Sequence, residues 1–183
     1  ACRECEAHLV LGPRPIFQFS TTSRLVIIGQ APGSKVHESG IPWDDPSGKR
    51  LREWTGISPD LFYDAARIAL VPMGFCYPGK GASGDLPPRR ECAPLWHEAV
   101  MAQLPKDRLT LLVGSYAQDH YLRDATRLSM TERVRAFLSF APQFLPLPHP
   151  SWRSTGWMKR NPWFEADLLP VLKDRVSHTL AAT

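Results

Sequence analysis

The sequence predicts an α/β protein: a three-layer α/β/α sandwich around a central, mostly parallel sheet of four strands. Short apolar segments without polar interruption recur along the chain, and such segments are typical of strands buried on both faces. Segments with helical spacing of apolar residues lie between them, and this alternation favours a parallel sheet. With 183 residues, 43% of them hydrophobic, the chain is long enough for one domain over residues 1–183.

Four apolar segments are predicted to form the sheet. The first, Leu25–Ile28, has three β-branched residues among its four and ends at Gly29. Pro72 breaks the second segment, because proline cannot donate a ladder hydrogen bond. The predicted strands are residues 25–28, 68–71, 109–114 and 144–147.

Helices are predicted from apolar spacing and capping residues. Ser47 is expected to cap a helix over residues 48–54, and Ser115 a helix over 116–123. Two loops are predicted: a polar one over 34–46 and a Gly- and Pro-rich one over 76–88. Further helices are predicted over residues 59–64, 89–104, 131–140 and 163–176.

Composition limits the classes of partner. The formal net charge of +4 and the pI of about 9.0 permit a polyanionic partner without requiring one. No apolar run approaches the roughly 20 residues of a membrane span. Because the first residues lack an apolar signal region, the chain is expected to be soluble and cytoplasmic, with no membrane partner.

Two loops leave the carboxyl ends of predicted strands, where ligands bind in open parallel sheets. In the loop over 29–33, Pro32 fixes one backbone angle. Gly33 permits backbone conformations and close approaches that a side chain would block. In the loop over 149–153, His149 is held between two prolines. From spacing alone, the first loop also fits an ordinary strand exit, and a lone histidine is more often structural than catalytic. The first loop does not match the phosphate-binding loop pattern.

The chain has four cysteines. In an intracellular protein, four such residues favour a metal site over disulfides, and four is the number that a [4Fe–4S] cluster or a structural Zn²⁺ requires. Two unrelated pairs of buried thiols are the simpler alternative. The cysteines are Cys2, Cys5, Cys76 and Cys92.

Several short motifs, in order along the chain, resemble those of the uracil-DNA glycosylase superfamily. The chain is most similar to the iron–sulfur branch (family 4), whose first motif is G-E-A/G-P-G and whose second begins with H-P. That branch also has a C-x2-C pair near the N-terminus and a distant pair 16 positions apart. The matching segments are Gly29-Gln30-Ala31-Pro32-Gly33, Gly40-Ile41-Pro42-Trp43, Ser47-Gly48, His149-Pro150-Ser151 and the four cysteines.

The resemblance implies roles for particular residues. His149 would donate a hydrogen bond to the uracil O2 as the glycosidic bond breaks, and Trp43 would stack on the base. Gln30 and Ala31 would touch a uracil carbonyl through their backbone N–H groups, so they join His149 as predicted catalytic residues. The predicted base-binding residues are Gly29, Gln30, Ala31, Pro32, Gly33 and Trp43; the predicted DNA-binding residues are Ser151, Trp152 and Arg153.

The resemblance thus implies a monomeric DNA glycosylase of base excision repair, a hydrolase that removes uracil or a related deaminated base from damaged DNA. It also implies a structural [4Fe–4S] cluster on Cys2, Cys5, Cys76 and Cys92, with zinc less well supported. The alternative is a catalytically weak or inactive member that binds DNA or a nucleobase in the same pocket. An iron–sulfur redox protein would leave the pocket motifs unexplained.

Two departures from the family pattern bear on activity. Ala31 stands where the most active branch of the superfamily has an aspartate, which excludes water activation by a carboxylate at this position. The iron–sulfur branch lacks that aspartate as well. Pro72 stands where the family commonly has an asparagine that reads the edge of uracil.

Overall fold

Parallel strands form the centre of the computed structural model, which describes residues 2–82 and 84–181. In chain order, the strands are β1 (Leu25–Ile28), β2 (Ile68–Leu70), β3 (Lys80–Gly81), β4 (Gly84–Asp85), β5 (Leu109–Val113) and β6 (Phe144–Leu147). Four of them form a parallel sheet in the order β2-β1-β5-β6, while β3 and β4 pair antiparallel as a separate hairpin. The predicted four-stranded parallel sheet is confirmed.

Helices pack on both faces of the sheet. They are α1 (Ser34–Ser39), α2 (Pro46–Thr55), α3 (Pro59–Phe62), α4 (Cys92–Ala102), α5 (Ser115–Tyr121), α6 (Met130–Arg135), α7 (Ser154–Arg160) and α8 (Leu169–Ala181). Short 3₁₀ turns cover Glu6–His8, Arg123–Ala125 and Phe137–Phe140, and a π-helical segment, Phe164–Leu168, precedes α8. The described ranges contain no helix long and apolar enough to cross a membrane.

Alternate residues of β1 face opposite sides of the sheet, and each side buries its own hydrophobic cluster. Leu25 and Ile27 belong to the cluster that packs against α2 and α8. Val26 and Ile28 belong to the cluster that packs against α4 and α5. All four side chains are fully buried. The alternation therefore gives the three layers that the sequence predicts.

Two predicted boundaries near the site are wrong. Residues 34–39 form α1 rather than a loop; this short helix buries only Val36 and His37, too few positions to show a helical period. Ser47 does not cap α2. The Asp45 carboxylate accepts the Gly48 N–H at 2.7 Å, and the helix begins one residue earlier than Ser47, at Pro46.

The later helices also differ from the predicted ones. Ser115 is the first residue of α5 and Gly114, with φ of +88°, takes the cap position. The helix predicted over 131–140 is split, since α6 ends at Arg135 and a 3₁₀ turn follows. The predicted helix over 89–104 begins only at Cys92. The closing helix predicted over 163–176 is instead a π-helical segment followed by α8.

Side chains buried in the central strands should contribute most to the free energy of unfolding, and a substitution at Leu111 tests this. Its side chain is fully buried in β5, so Leu111→Ala should lower the free energy of unfolding by about 2–5 kcal/mol, measured by urea denaturation. The matched control is Leu138→Ala, because Leu138 is 65% exposed and its truncation should change stability by less than about 0.5 kcal/mol. Equal losses in the two variants would contradict this description of the core.

Candidate active site

A cavity of about 450 Å³ opens at the carboxyl edge of the sheet. The loops that follow β1, β2 and β6 all contribute to it, because parallel strands end at the same edge. The structure brings together the ten residues predicted to bind base or DNA or to act in catalysis. Those lining residues are Gly29, Gln30, Ala31, Pro32, Gly33, Trp43, His149, Ser151, Trp152 and Arg153.

Trp43 is held tightly by two glycines. A Cβ placed on Gly29 would lie 2.6 Å from Cζ2 of the Trp43 ring, and one on Gly48 would lie 1.8 Å from the Trp43 carbonyl oxygen. Side chains at either position would displace the tryptophan. Trp43 itself adopts φ of +58°, which is uncommon for a residue other than glycine. The indole is thus fixed across the end of β1.

His149 faces Trp43 across the cavity. The two rings are 6.0 Å apart between centroids, with 28° between their planes. Pro148 and Pro150 on either side are buried, and the His149 carbonyl accepts a hydrogen bond from the Ser154 hydroxyl. These contacts hold the backbone of His149 in place, and the Trp43 ring lies beside its imidazole.

Burial lowers the pKa of His149 below its usual value, and the nearby Asp45 carboxylate opposes this shift. The imidazole is therefore neutral at pH 7. A neutral imidazole carries one N–H donor and one acceptor nitrogen. It can donate a hydrogen bond to an oxygen that is becoming negative without itself being charged.

Pro72 lies in the cavity wall. Its carbonyl oxygen is 2.9 Å from Nε2 of the buried His97, and Nδ1 of His97 is 2.7 Å from the Tyr121 hydroxyl. Because a carbonyl only accepts, Nε2 carries the proton and Nδ1 accepts from Tyr121. Burial lowers the pKa of His97 to about 4.

Sequence reasoning missed His97. Leu95 and Trp96 fit the helical spacing of apolar residues in α4, but their side chains are 50% and 39% exposed, whereas His97 is 2% exposed. The only available signal was a polar residue inside an apolar helix. Its partners come from 25 and 24 residues away, so only the tertiary structure identifies its role.

The predicted DNA-binding loop lies at the rim of the cavity. The Arg50 guanidinium donates to the Ser151 carbonyl oxygen at 2.7 Å and so ties the loop to α2. Trp152 is 76% exposed, and the Arg153 guanidinium lies 5.6 Å from the centroid of its ring. An aromatic ring and a cation thus project together from the edge of the cavity.

The loop predicted over 76–88 contains the β3–β4 hairpin, which reaches the same cavity. Gly84, Asp85 and Leu86 line it, and the Tyr77 hydroxyl donates to Oδ1 of Asp85 at 3.2 Å. Strands of two residues are too short to give a periodic signal. Sequence reasoning therefore did not place Asp85 in the site.

The four cysteines line a second, largely apolar cavity of about 320 Å³. The Phe75 N–H donates to the Cys92 sulfur at 3.3 Å. Burial raises the pKa of Cys76, and it raises that of Cys92 to about 11. In the part of the chain that the structure describes, no three His, Cys, Asp or Glu side chains converge on a point where a single ion would be held.

The negative charge of Asp45 should raise the pKa of His149. Asp45→Asn keeps an N-cap side chain on α2 but removes the charge, so the pKa of His149 should fall further; NMR titration of the ring measures it. Asp44→Asn is the control, because Asp44 is exposed and does not line the cavity. An unchanged or higher pKa in Asp45→Asn would contradict the electrostatic description.

Comparison with known families agrees with the fold. A model of the uracil DNA glycosylase superfamily matches residues 16–173, which is most of the chain and includes both loops of the site. Membership suggests a glycosylase, a hydrolase that acts in DNA repair. The match begins after Cys2 and Cys5 and includes Cys76 and Cys92. The chain belongs to the uracil DNA glycosylase superfamily.

Proposed function

We propose that this protein is a DNA glycosylase that hydrolyses the N-glycosidic bond of uracil or a related deaminated base in DNA. One observation carries the proposal: a neutral, oriented His149 shares a base-sized cavity with the 29–33 loop and the Trp43 ring. A base inside a duplex cannot reach such a cavity, so the target nucleotide must be flipped out of the stack.

The chemistry of the bond explains why a neutral donor suits the site. When the glycosidic bond breaks, the base leaves as a delocalised anion and the sugar becomes an oxocarbenium-like cation. Preorganised donors aimed at the developing anion are commonly the largest catalytic contribution. In our proposal, His149 donates to the uracil O2, and the backbone N–H groups of Gln30 and Ala31 donate to a base carbonyl.

The remaining site residues would stabilise the flipped nucleotide. Trp43, fixed by its contact with Gly29, would stack on the extruded base. Trp152 is exposed enough to enter the gap in the duplex, and Arg153 and the Ser151 backbone lie where they would contact phosphates. Together these contacts offset an unstacking cost of about a few kcal/mol.

Pro72 limits how the base is read. Its ring presents no hydrogen-bonding group, and its carbonyl is already used by His97. Selection at this wall of the pocket would therefore be by shape, with the hydrogen bonds made from the 29–33 loop and His149. This is why the proposal covers uracil and related deaminated bases rather than uracil alone.

Cleavage of lesion-containing DNA tests the proposal. End-labelled oligonucleotides carrying uracil, hypoxanthine or xanthine, single-stranded and paired, are incubated with the protein and treated with alkali. We expect breakage at a lesion, and His149→Ala should slow it by about 10²–10³-fold, since one donor to the oxyanion is lost. DNA affinity should be largely retained.

The matched control is His178→Ala, because this histidine is an exposed residue of α8 outside the cavity. It should leave cleavage unchanged. Full turnover in His149→Ala would contradict the assigned role. Salt-dependent DNA binding with no breakage at any lesion would favour the alternative, an inactive binding member of the superfamily.

We further propose that the chain belongs to the iron–sulfur branch and holds a [4Fe–4S] cluster. The donor set supports this, because the four cysteines surround one apolar cavity and Phe75 donates a backbone hydrogen bond to a cysteine sulfur. A zinc ion needs four ligands about 2.0–2.3 Å from one point, whereas a cluster spreads its thiolates over several irons. When bound, the cluster would link the N-terminal segment to the 76–92 segment.

Spectroscopy and metal analysis test the cluster. Protein purified anaerobically should be brown and carry about four irons and four sulfides per chain, as the cluster formula requires. Cys76→Ser and Cys92→Ser should each reduce the visible absorbance and the iron content. A colourless protein with stoichiometric zinc would contradict the proposal.

A further inference from the structure

We propose that Asp85 is a catalytic residue of this site: its carboxylate stabilises the cationic sugar and accepts a proton from the attacking water. The inference rests on the proposed glycosylase function and extends it to the second half of the reaction. The donors of the 29–33 loop and His149 act on the leaving base. None of them neutralises the positive charge that develops on the sugar.

The structure carries Asp85 into the cavity on the β3–β4 hairpin. Oδ2 of Asp85 would lie 3.2 Å from a Cβ placed on Gly33, so the carboxylate sits directly against the 29–33 loop. His149 and Ala31 line the same cavity. The carboxylate and the proposed donors to the base therefore line one cavity.

Tyr77 fixes the orientation of this carboxylate. Its hydroxyl donates to Oδ1 at 3.2 Å, and the tyrosine is buried, with its ring 5.8 Å from that of His37. Within residues 2–82 and 84–181, Oδ2 makes no hydrogen bond to the protein. One oxygen is thus anchored and the other remains able to accept a proton.

The other carboxylate of the cavity caps a helix. Among the described lining residues, the carboxylates are those of Asp45 and Asp85. Asp45 accepts the Gly48 N–H at 2.7 Å as the N-cap of α2. Oδ2 of Asp85 lies instead against the 29–33 loop, so the structure favours Asp85 for the reaction with water.

Hydrolysis begins at the glycosidic bond. The C1′–N bond breaks and its electron pair leaves with the base, which His149 and the loop stabilise. A water oxygen bonds to C1′ of the sugar cation, and one proton of that water passes to the Asp85 carboxylate. The proton returns to solvent, and the base anion takes one from solvent. The net reaction is hydrolysis, with no further reactant.

Abasic-site analogues test the charge on Asp85 without requiring turnover. A pyrrolidine abasic nucleotide carries a positive ring nitrogen, while a tetrahydrofuran abasic nucleotide of the same shape is neutral. The wild-type protein should bind DNA with the cationic analogue at least about tenfold more tightly. This preference should approach unity in Asp85→Asn and should fall part-way in Tyr77→Phe, which keeps the buried ring and removes the hydroxyl.

Single-turnover cleavage provides the second measurement. Asp85→Asn should slow the rate of cleavage by about 10–100-fold and leave affinity for intact lesion DNA nearly unchanged. Asp60→Asn is the control, because Asp60 is exposed in α3 and does not line the cavity. It should change neither the rate nor the preference for the cationic analogue.

The outcomes separate the two proposals. Normal cleavage and an unchanged cationic preference in Asp85→Asn would overturn the role of Asp85 and leave the glycosylase proposal standing. If the wild-type protein cleaves no lesion, the glycosylase activity is refuted. The preference for the cationic analogue still measures whether the Asp85 carboxylate stabilises a positive charge. A wild type that binds both analogues equally well overturns the role of Asp85 in either case.

Discussion

The position of β1 between β2 and β5 is the constraint on which the site depends. Its four residues are fully buried, and every strand beside it runs in the same direction. The loops after β1, β2 and β6 must then emerge at one edge. The ladder continues past β2, since the N–H groups of Met73 and Gly74 donate to the carbonyl oxygens of Gly29 and Gln30. Two walls of the cavity are thereby joined by backbone hydrogen bonds, independently of side chains.

The site combines rigidly held side chains with a neutral imidazole donor. Trp43 is confined by glycines, and His149 by prolines and the Ser154 hydroxyl. Burial keeps the imidazole neutral, so its N–H can donate to the leaving base while the ring carries no charge that would bind another anion. In the proposed function, catalysis depends on donors held in place before the base enters, which is the condition under which electrostatic stabilisation is largest.

The 76–92 segment links the two cavities. Cys76 and Cys92 bound it and line the cysteine cavity, while Tyr77 and Asp85, between them, belong to the active-site side. A cluster bound by the cysteines would therefore constrain the same segment that presents Asp85. The proposed cluster and the proposed carboxylate are physically connected through neighbouring residues, Cys76 and Tyr77.

The sequence by itself determined the features that depend on neighbours along the chain. Uninterrupted apolar runs predicted the four strands of the sheet, and the ordered motifs predicted ten of the residues that line the cavity. Features that depend on contacts between distant residues were decided by the tertiary structure alone. His97 meets Pro72 across 25 residues, Asp85 reaches the site on strands too short to show a period, and Asp45 rather than Ser47 caps α2. Local periodicity reports which face of an element is apolar, but the partner of a polar group is chosen only when the elements pack.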